Sequence, residues 1–218
     1  MGLHVQGHRV RRVRRGSQLI QGDRGFTSLA LIGDERDNLT DPRRGLFWTG
    51  TAELARTWLA SDVDYVRLYG QLFVYLPVGP LVWAQGYRVG TVPGTDPLLL
   101  IENRFRAGGP TTVRGFEQNE LGPQTTAGDS LGGQAVVVLN QELRFPMFGK
   151  LKGGVFWDAG NVWQTSGELD PLDLRQSVGA GLRYTFPFGP VRLEYAWILR
   201  RREGEPGGRF VFGLGHAF

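Results

Sequence analysis

The sequence predicts an all-β protein: an antiparallel transmembrane β-barrel of about ten strands, with one long loop folded inward. Three observations predict this fold. Apolar residues recur with a period of two, the period of a strand. The alternating segments mostly run for about ten to thirteen residues, which suits a tilted bilayer crossing better than a soluble strand. Short turns alternate with longer polar loops, as in outer-membrane barrels.

The individual strands follow from this alternation. The clearest segment is 191–199, where Arg192 and Glu194 fall on one face and apolar residues fall on the other: Val191, Leu193, Tyr195, Trp197 and Leu199. We expect strands at 2–14, 26–36, 45–57, 64–76, 80–91, 132–145, 150–163, 174–187, 190–200 and 208–218. They form a single domain over 1–218. The longest connection, about 92–131, is the predicted plug loop. An even strand count predicts both termini on the short-turn, periplasmic side.

The uncharged stretch 68–87 has the length of a membrane-spanning helix, but its prolines and glycines argue against one. Pro77 and Pro80 would each remove a helical hydrogen bond. Two strands joined at the Pro-Val-Gly-Pro turn of 77–80 fit better, so this stretch predicts a hairpin.

Composition excludes several classes of function. The 218 residues contain no cysteine, which excludes thiol catalysis, thiolate metal sites and disulfides. The net charge is +4, but the arginine run within 9–15 has no interleaved aromatic residues, so we expect no nucleic-acid partner. A soluble β-sandwich also alternates apolar and polar residues. The long strands and a polar face of glycine and arginine favour the membrane barrel.

Four segments, in order along the chain, resemble the BamA/TamA superfamily of outer-membrane assembly barrels. Residues 106–116 end in Val-Arg-Gly-Phe, which is similar to that family's loop motif. Residues 34–45 are similar to its strand-turn-strand motif, and residues 154–161 to its Phe-x-Asp-x-Gly strand. Residues 184–190 and the terminal Gly-His-Ala-Phe of 215–218 resemble its closing strands and carboxyl-terminal signal.

The resemblance implies a barrel at the bacterial-type outer membrane that assists insertion or translocation of other proteins. Its partners would be membrane lipid and unfolded client proteins. The family's barrel usually has about sixteen strands, so this chain matches its last strands, without a signal peptide or periplasmic polypeptide-transport domains. We therefore expect a split piece, or a small variant that closes alone or by self-association. The alternatives are a passive pore or single-partner secretion channel, and an inactive barrel fragment.

The plug-loop motif consists of Val113, Arg114, Gly115 and Phe116. Glycines 108, 109 and 115 permit positive φ and a tight fold-back. Alternation in 150–163 places Phe156 and Asp158 on the lumenal face if Trp157 faces lipid. We expect Arg114 to pair with Asp158 and with Glu142, and to lie against Phe156; the resemblance implies the same contacts. The alternative is that Arg114 pairs with another loop residue.

The turn motif predicts a periplasmic turn first and a lumenal charge network second. Its residues are Asp34, Arg36, Asp37, Asn38, Pro42 and Gly45. Phe218 resembles the terminal aromatic residue that assembly machinery recognises, and it also fits a lipid-facing aromatic girdle.

Enzymatic activity is not expected. The only histidines, His4, His8 and His216, lie near the chain ends, and no serine lies in a Gly-x-Ser-x-Gly elbow. The acidic residues form no compact dyad, so we expect no catalytic residue, no metal site and no cofactor.

Overall fold

The computed structural model describes residues 13–15, 18–20, 26–59, 61, 64–93, 104–186 and 189–215. Strands β3 to β11 form one antiparallel sheet in which every strand pairs with its sequence neighbours. Their bounds are β3 Phe26–Asp34, β4 Gly45–Ala55, β5 Tyr65–Val78, β6 Leu81–Thr91, β7 Ala135–Phe148, β8 Leu151–Trp163, β9 Arg175–Phe186, β10 Gly189–Leu199 and β11 Gly208–Leu214. Strands β3 and β11 are the two edges of this nine-stranded sheet in the described part of the chain.

The predicted all-β fold is confirmed, and a first difference from the prediction lies at the amino end. The expected strand 2–14 lies mostly outside the described residues. Its last two positions fall in β1 (Val13–Arg15), which pairs, among the described residues, with β2 (Gln18–Ile20) alone. Strand β2 lies between the expected strands 2–14 and 26–36, where we expected a loop. The main sheet therefore has nine described strands instead of about ten. Strands of three residues are too short for an alternating pattern to be recognised.

The hairpin predicted within 68–87 is present. Strands β5 and β6 pair from Leu68 opposite Thr91 to Val78 opposite Leu81, and the turn contains Gly79 at φ 60°. The turn after β7 is displaced from the prediction. Pro146 lies within β7 because a register shift between Pro146 and Phe148 accommodates a residue that cannot donate to the ladder.

The two faces of the sheet are inverted relative to those of a soluble protein. In β10, Leu193 is 55% and Trp197 is 49% exposed, whereas Arg192 is 0% and Glu194 is 4% exposed. The charged residues therefore line the concave side and the apolar side chains cover the outside. This arrangement is favourable when the outside solvent is hydrocarbon.

The connections show the two expected length classes except between β3 and β4, where residues 35–44 form a longer connection at the short-turn end. One end of the sheet has tight turns, such as residues 79–80 and 149–150, and the other has the long connections 92–134, 164–174 and 200–207. Short 3-10 turns lie at Thr57–Leu59 and Ser166–Glu168. Within the described ranges, no helix is long and apolar enough to cross a bilayer.

The outer face gives a first prediction. Replacing Leu193 by Arg places a charge in hydrocarbon, and we expect the free energy of unfolding from lipid vesicles to fall by about 2–4 kcal/mol. Leu172 is 90% exposed but lies in the connection 164–174, so Leu172→Arg is the matched control with no expected loss. Urea titration in vesicles measures both. Equal losses in the two variants would contradict a lipid-facing sheet.

Candidate functional site

The described residues 104–134 of the connection between β6 and β7 fold back into the concave side of the sheet. They contain most of the predicted plug loop, and we use that name for the described residues 92–93 and 104–134. Its ends are held by hydrogen bonds from Val92 N to Gln134 O (2.8 Å) and between Phe105 and Gly133 in both directions (2.9 Å each). Val113 is 0% and Phe116 is 3% exposed, and both belong to a buried apolar cluster with residues of β7 and β8. The middle of the loop is thus part of the interior.

The fold-back depends on glycine at the positions that the sequence indicated. Gly108, Gly109 and Gly115 have φ values of 107°, 102° and 98°. A Cβ at Gly108 would lie 2.4 Å from the carbonyl oxygen of Glu117, so the two arms of the loop approach too closely for a side chain.

Arg114 lies at the inward end of the plug loop and is 1% exposed. Its guanidinium donates to both carboxylate oxygens of Asp158, from Nε to Oδ2 at 2.7 Å and from Nη2 to Oδ1 at 2.9 Å. The backbone N–H of Arg114 adds a bond to Oδ2 at 3.1 Å. This bidentate arrangement fixes both the position and the orientation of the side chain.

Two further strands contact the same guanidinium. Nη1 of Arg114 donates to Glu142 on β7 at 2.7 Å and to Glu194 on β10 at 3.2 Å. Its central carbon lies 3.5 Å from the centroid of the Phe156 ring, a cation–π contact. Among the described residues, every side-chain hydrogen bond recorded for Arg114 goes to a strand, none to another loop residue.

The structure thus brings together Arg114, Asp158, Glu142 and Phe156, the residues that the sequence pattern grouped. It also adds residues that the pattern did not assign to the site. Asn140 donates to Asp158 Oδ1 at 2.8 Å and to the carbonyl of Thr112 at 2.5 Å. Alternation shows which residues of one strand share a face, as for Arg192 and Glu194, but it carries no information on which strands curve towards the loop.

Other arginines extend the network along the inner face. Glu142 accepts from Arg144 Nε at 2.7 Å and from Arg183, in addition to Arg114. Glu194 accepts from Arg192 Nη1 at 2.9 Å. Each of these buried arginines contacts a carboxylate directly. These contacts between opposite charges compensate for the cost of removing the charges from water.

The comparisons with known proteins bear on this site. The family described as the Omp85 superfamily domain matches residues 11–218. The chain belongs to the Omp85 superfamily. Curated relatives include the outer membrane protein assembly factor BamA of Neisseria meningitidis serogroup B, 30% identical over 85% of this chain. The human sorting and assembly machinery component 50 homolog is 33% identical over 75% of the chain.

The chain spans only part of the length of these relatives. The match covers 28% of the Neisseria protein and 37% of the human one. Among solved structures, BamA from Haemophilus ducreyi lacking POTRA domains 1–3 superposes with a TM-score of 0.78 over 91% of this chain and 43% of that one, at 23% identity. That likeness supports the barrel fold of this Omp85 chain.

The turn motif between β3 and β4 closes the short-turn end of this Omp85 sheet. Asn38 Oδ1 accepts from the backbone N–H of Thr40 (2.8 Å) and of Asp41 (3.0 Å). Asp37 Oδ1 accepts from the backbone N–H of Arg43 at 3.0 Å and of Arg44 at 3.2 Å. Desolvation by neighbouring atoms opposes ionisation of the exposed Asp37, but these hydrogen bonds outweigh it and hold its pKa below the ordinary value.

The same motif contacts strands across the sheet. Arg36 pairs with Asp34 through Nε (2.9 Å) and Nη2 (2.6 Å) and lies over Phe47. Asp41 accepts from Lys152 on β8, and Pro42 is fully buried. Gly45, at φ 108°, ends the turn. The motif is therefore both a turn and a set of cross-barrel contacts. Phe218, the predicted carboxyl-terminal signal, lies outside the described residues.

A polar cavity of about 680 Å³ lies at the long-loop end, between the plug loop and the connections after β8 and β10. Arg175 crosses it and donates to Glu205 through Nη1 (2.8 Å) and Nη2 (2.6 Å). Arg175 also lies over Phe116 of the plug-loop motif, 4.9 Å from the ring centroid. The plug loop is thus held at this end as well as at Arg114.

Asp158→Asn tests the charge at the centre of the site. The substitution leaves Arg114 with one compensating charge fewer, and removal of one partner from a buried pair costs about 3–5 kcal/mol. We expect the free energy of unfolding to fall by that amount and the plug loop to become sensitive to protease. Asp170→Asn, in the exposed connection 164–174, is the matched control. Unchanged protease resistance in Asp158→Asn would show that the charge of Asp158 is not needed to hold the loop.

The Arg175–Glu205 pair predicts a pH dependence. The hydrogen bonds from Arg175 hold the pKa of Glu205 below its ordinary value. A depressed folded-state pKa stabilises the fold above the unfolded-state pKa, and this stabilisation is lost as the pH falls through the folded-state value. Glu205→Gln should therefore lower the free energy of unfolding by about 1 kcal/mol at neutral pH. Its difference from wild type should vanish in acid.

Urea titrations at successively lower pH measure this convergence, and Glu203→Gln, at an exposed position in the same loop, is the control. A difference between Glu205→Gln and wild type that stayed constant down to pH 2 would mean that the ionised carboxylate is not the stabilising group.

Proposed function

We propose that this chain acts in the insertion or translocation of proteins at the outer membrane, as part of a non-enzymatic assembly barrel. The names of its relatives support this class, because they include an outer membrane protein assembly factor and a sorting and assembly machinery component. The observation that carries the proposal is strand β11. It is a short edge strand that pairs with β10 alone, among the described residues, beside a lumen occupied by the plug loop.

An edge strand in a bilayer presents backbone groups that hydrocarbon cannot satisfy, at a cost of several kcal/mol for each group. An incoming client strand that adds to the edge removes this cost, a form of β-augmentation. Strand β11 has only seven residues, and two of them, Gly208 and Gly213, give no side-chain support to the pairing. A client strand that pairs with β11 would therefore gain the hydrogen bonds that the edge of β11 does not make within the described sheet.

The direction of the free backbone groups follows from two hydrogen bonds. Gly215 N donates to Pro190 O at 2.8 Å, and Ile198 N donates to Gly207 O at 3.1 Å. Because strand residues alternate, the odd-numbered residues of β11 direct their backbone groups to β10. The N–H groups of Phe210, Phe212 and Leu214 therefore face the open edge, where a client would pair.

The proposed location is a bacterial-type outer membrane with both termini periplasmic, lipid on the apolar face and unfolded outer-membrane or secreted proteins as clients. Other barrel strands, from this protein or a second copy, would pair with the remaining edge. A passive pore or single-partner channel needs an open lumen. The plug loop, held by Arg114 to three strands, favours assembly over that alternative.

Phe212→Pro tests the edge model. Proline removes the N–H that faces the open edge and leaves the bonds of β11 to β10 in place. We expect client insertion to fall by roughly tenfold, the equivalent of about 1.4 kcal/mol, with folding retained. Phe212→Leu keeps the N–H and an apolar side chain, so it should insert clients normally.

The measurement is insertion of an unfolded outer-membrane protein into vesicles that contain each variant, with ionic conductance recorded on the same vesicles. If Phe212→Pro inserted clients as fast as wild type, the edge would not be the pairing site. A loss of conductance with unchanged insertion would favour the passive channel.

A further inference from the structure

Arg192 on β10 connects three parts of the molecule that are distant in sequence. Its Nη1 donates to Glu194 at 2.9 Å, its Nε to the carbonyl of Gly215 at 2.8 Å, and its Nη2 to the carbonyl of Pro110 at 3.4 Å. Gly215 directly follows β11, and Pro110 belongs to the plug loop. The side chain is 0% exposed, so water does not compete for these three acceptors.

The position opposite Arg192 on β11 is shaped for this guanidinium. Gly213 is its partner in the ladder. A Cβ at Gly213 would lie 2.5 Å from Nη2 and 2.9 Å from the central carbon of the guanidinium. Any larger residue would displace the group from the strand, because real Cβ atoms do not approach so closely. Glycine at this position thus leaves room for the guanidinium to lie against the strand and to reach Gly215.

The stability of β10 alone does not explain an arginine at this position. Its ladder partner on β9 is Arg183, and like charges directly opposite each other are destabilising. Glu194 offsets this repulsion, because it accepts from Arg192 and lies 3.7 Å from Arg183. The same carboxylate accepts from Arg114 at 3.2 Å. A continuous line of charged contacts thus runs from Arg114 through Glu194 and Arg192 to the end of β11.

We propose that Arg192 is a positioning residue that couples the plug loop to the end of the edge strand β11. The proposal rests on the proposed function, in which β11 pairs with clients. While Arg114 occupies the lumen, Glu194 and Pro110 orient Arg192, and Arg192 holds Gly215 against β10. When the plug loop moves, Arg192 loses its acceptor at Pro110 and Glu194 loses its contact with Arg114. Arg192 is then no longer held in place, and the end of β11 is released for exchange. The position of the plug loop thereby regulates whether the edge strand β11 is free to pair with a client.

The coupling is measured without any client, so its failure is distinct from failure of the proposed function. The protein contains no cysteine, so Leu214→Cys provides a unique, lipid-facing site for a spin label at the end of β11. In reconstituted vesicles we expect Arg192→Lys, which keeps the charge but not the planar fork, to raise the mobile fraction of the label at least about fivefold. Gly213→Ala should do the same with Arg192 intact.

The control is Arg209→Gln. Arg209 also joins β11 to the plug loop, through Glu117 at 3.0 Å, but Glu117 is 71% exposed, so this pair should contribute little. We expect the label mobility in this variant to match wild type. A mobile fraction unchanged in both Arg192→Lys and Gly213→Ala, or raised equally by Arg209→Gln, would overturn the proposal.

A double-mutant cycle separates coupling from a merely structural role. Arg114→Gln should raise label mobility when Arg192 is present, and should add little in the Arg192→Lys background. If Arg192 only stabilised β10, the two effects would be additive, and additive effects would refute the coupling. Heat-modified electrophoretic mobility of each variant verifies that the barrel is folded.

Discussion

The buried guanidinium of Arg114 is the interaction on which the interior of this sheet depends. A charge removed from water is costly unless opposite charges and hydrogen bonds compensate it. Here Asp158, Glu142 and Glu194 provide that compensation from three different strands. The plug loop can lie inside the barrel because these carboxylates are there. Asp158, in turn, can face the lumen because the loop brings a cation to it, whereas Glu142 and Glu194 also pair with arginines of the sheet.

The inverted polarity of the sheet follows from the hydrocarbon that surrounds it. Hydrocarbon outside the barrel accepts apolar side chains at no cost, so charged residues concentrate on the inner face, where they neutralise one another. The resulting interior is held by directed ion pairs as well as by packing. Its apolar part includes a cluster around Val113, Phe116 and Val162 at the long-loop end, and smaller clusters around Tyr75 and Phe156.

Much of the fold and part of the site could be predicted from the sequence because both follow from local alternation. Phe156 and Asp158 share a face whatever the tertiary structure, and the Omp85-like loop motif supplied their partner Arg114. The contacts of Glu194, Arg192 and Lys152 could not be predicted in the same way. They depend on how far the sheet curves and on the stagger between strands. The strand predicted over 132–145 ended before Pro146, because proline favours turns. Local propensity does not reveal that a register shift allows Pro146 to lie within β7.

The position of the plug loop in the chain constrains the order in which the protein folds. The loop precedes β8 and β10 in sequence, yet Arg114 contacts Glu194, 80 residues further on. Contacts of such separation form late, since chain entropy must be lost first. Arg114 would then have no complete set of counter-charges until the last strands pair. The loop therefore has to enter the lumen while the barrel is still open, and neutralisation of its arginine is coupled to the final steps of strand assembly.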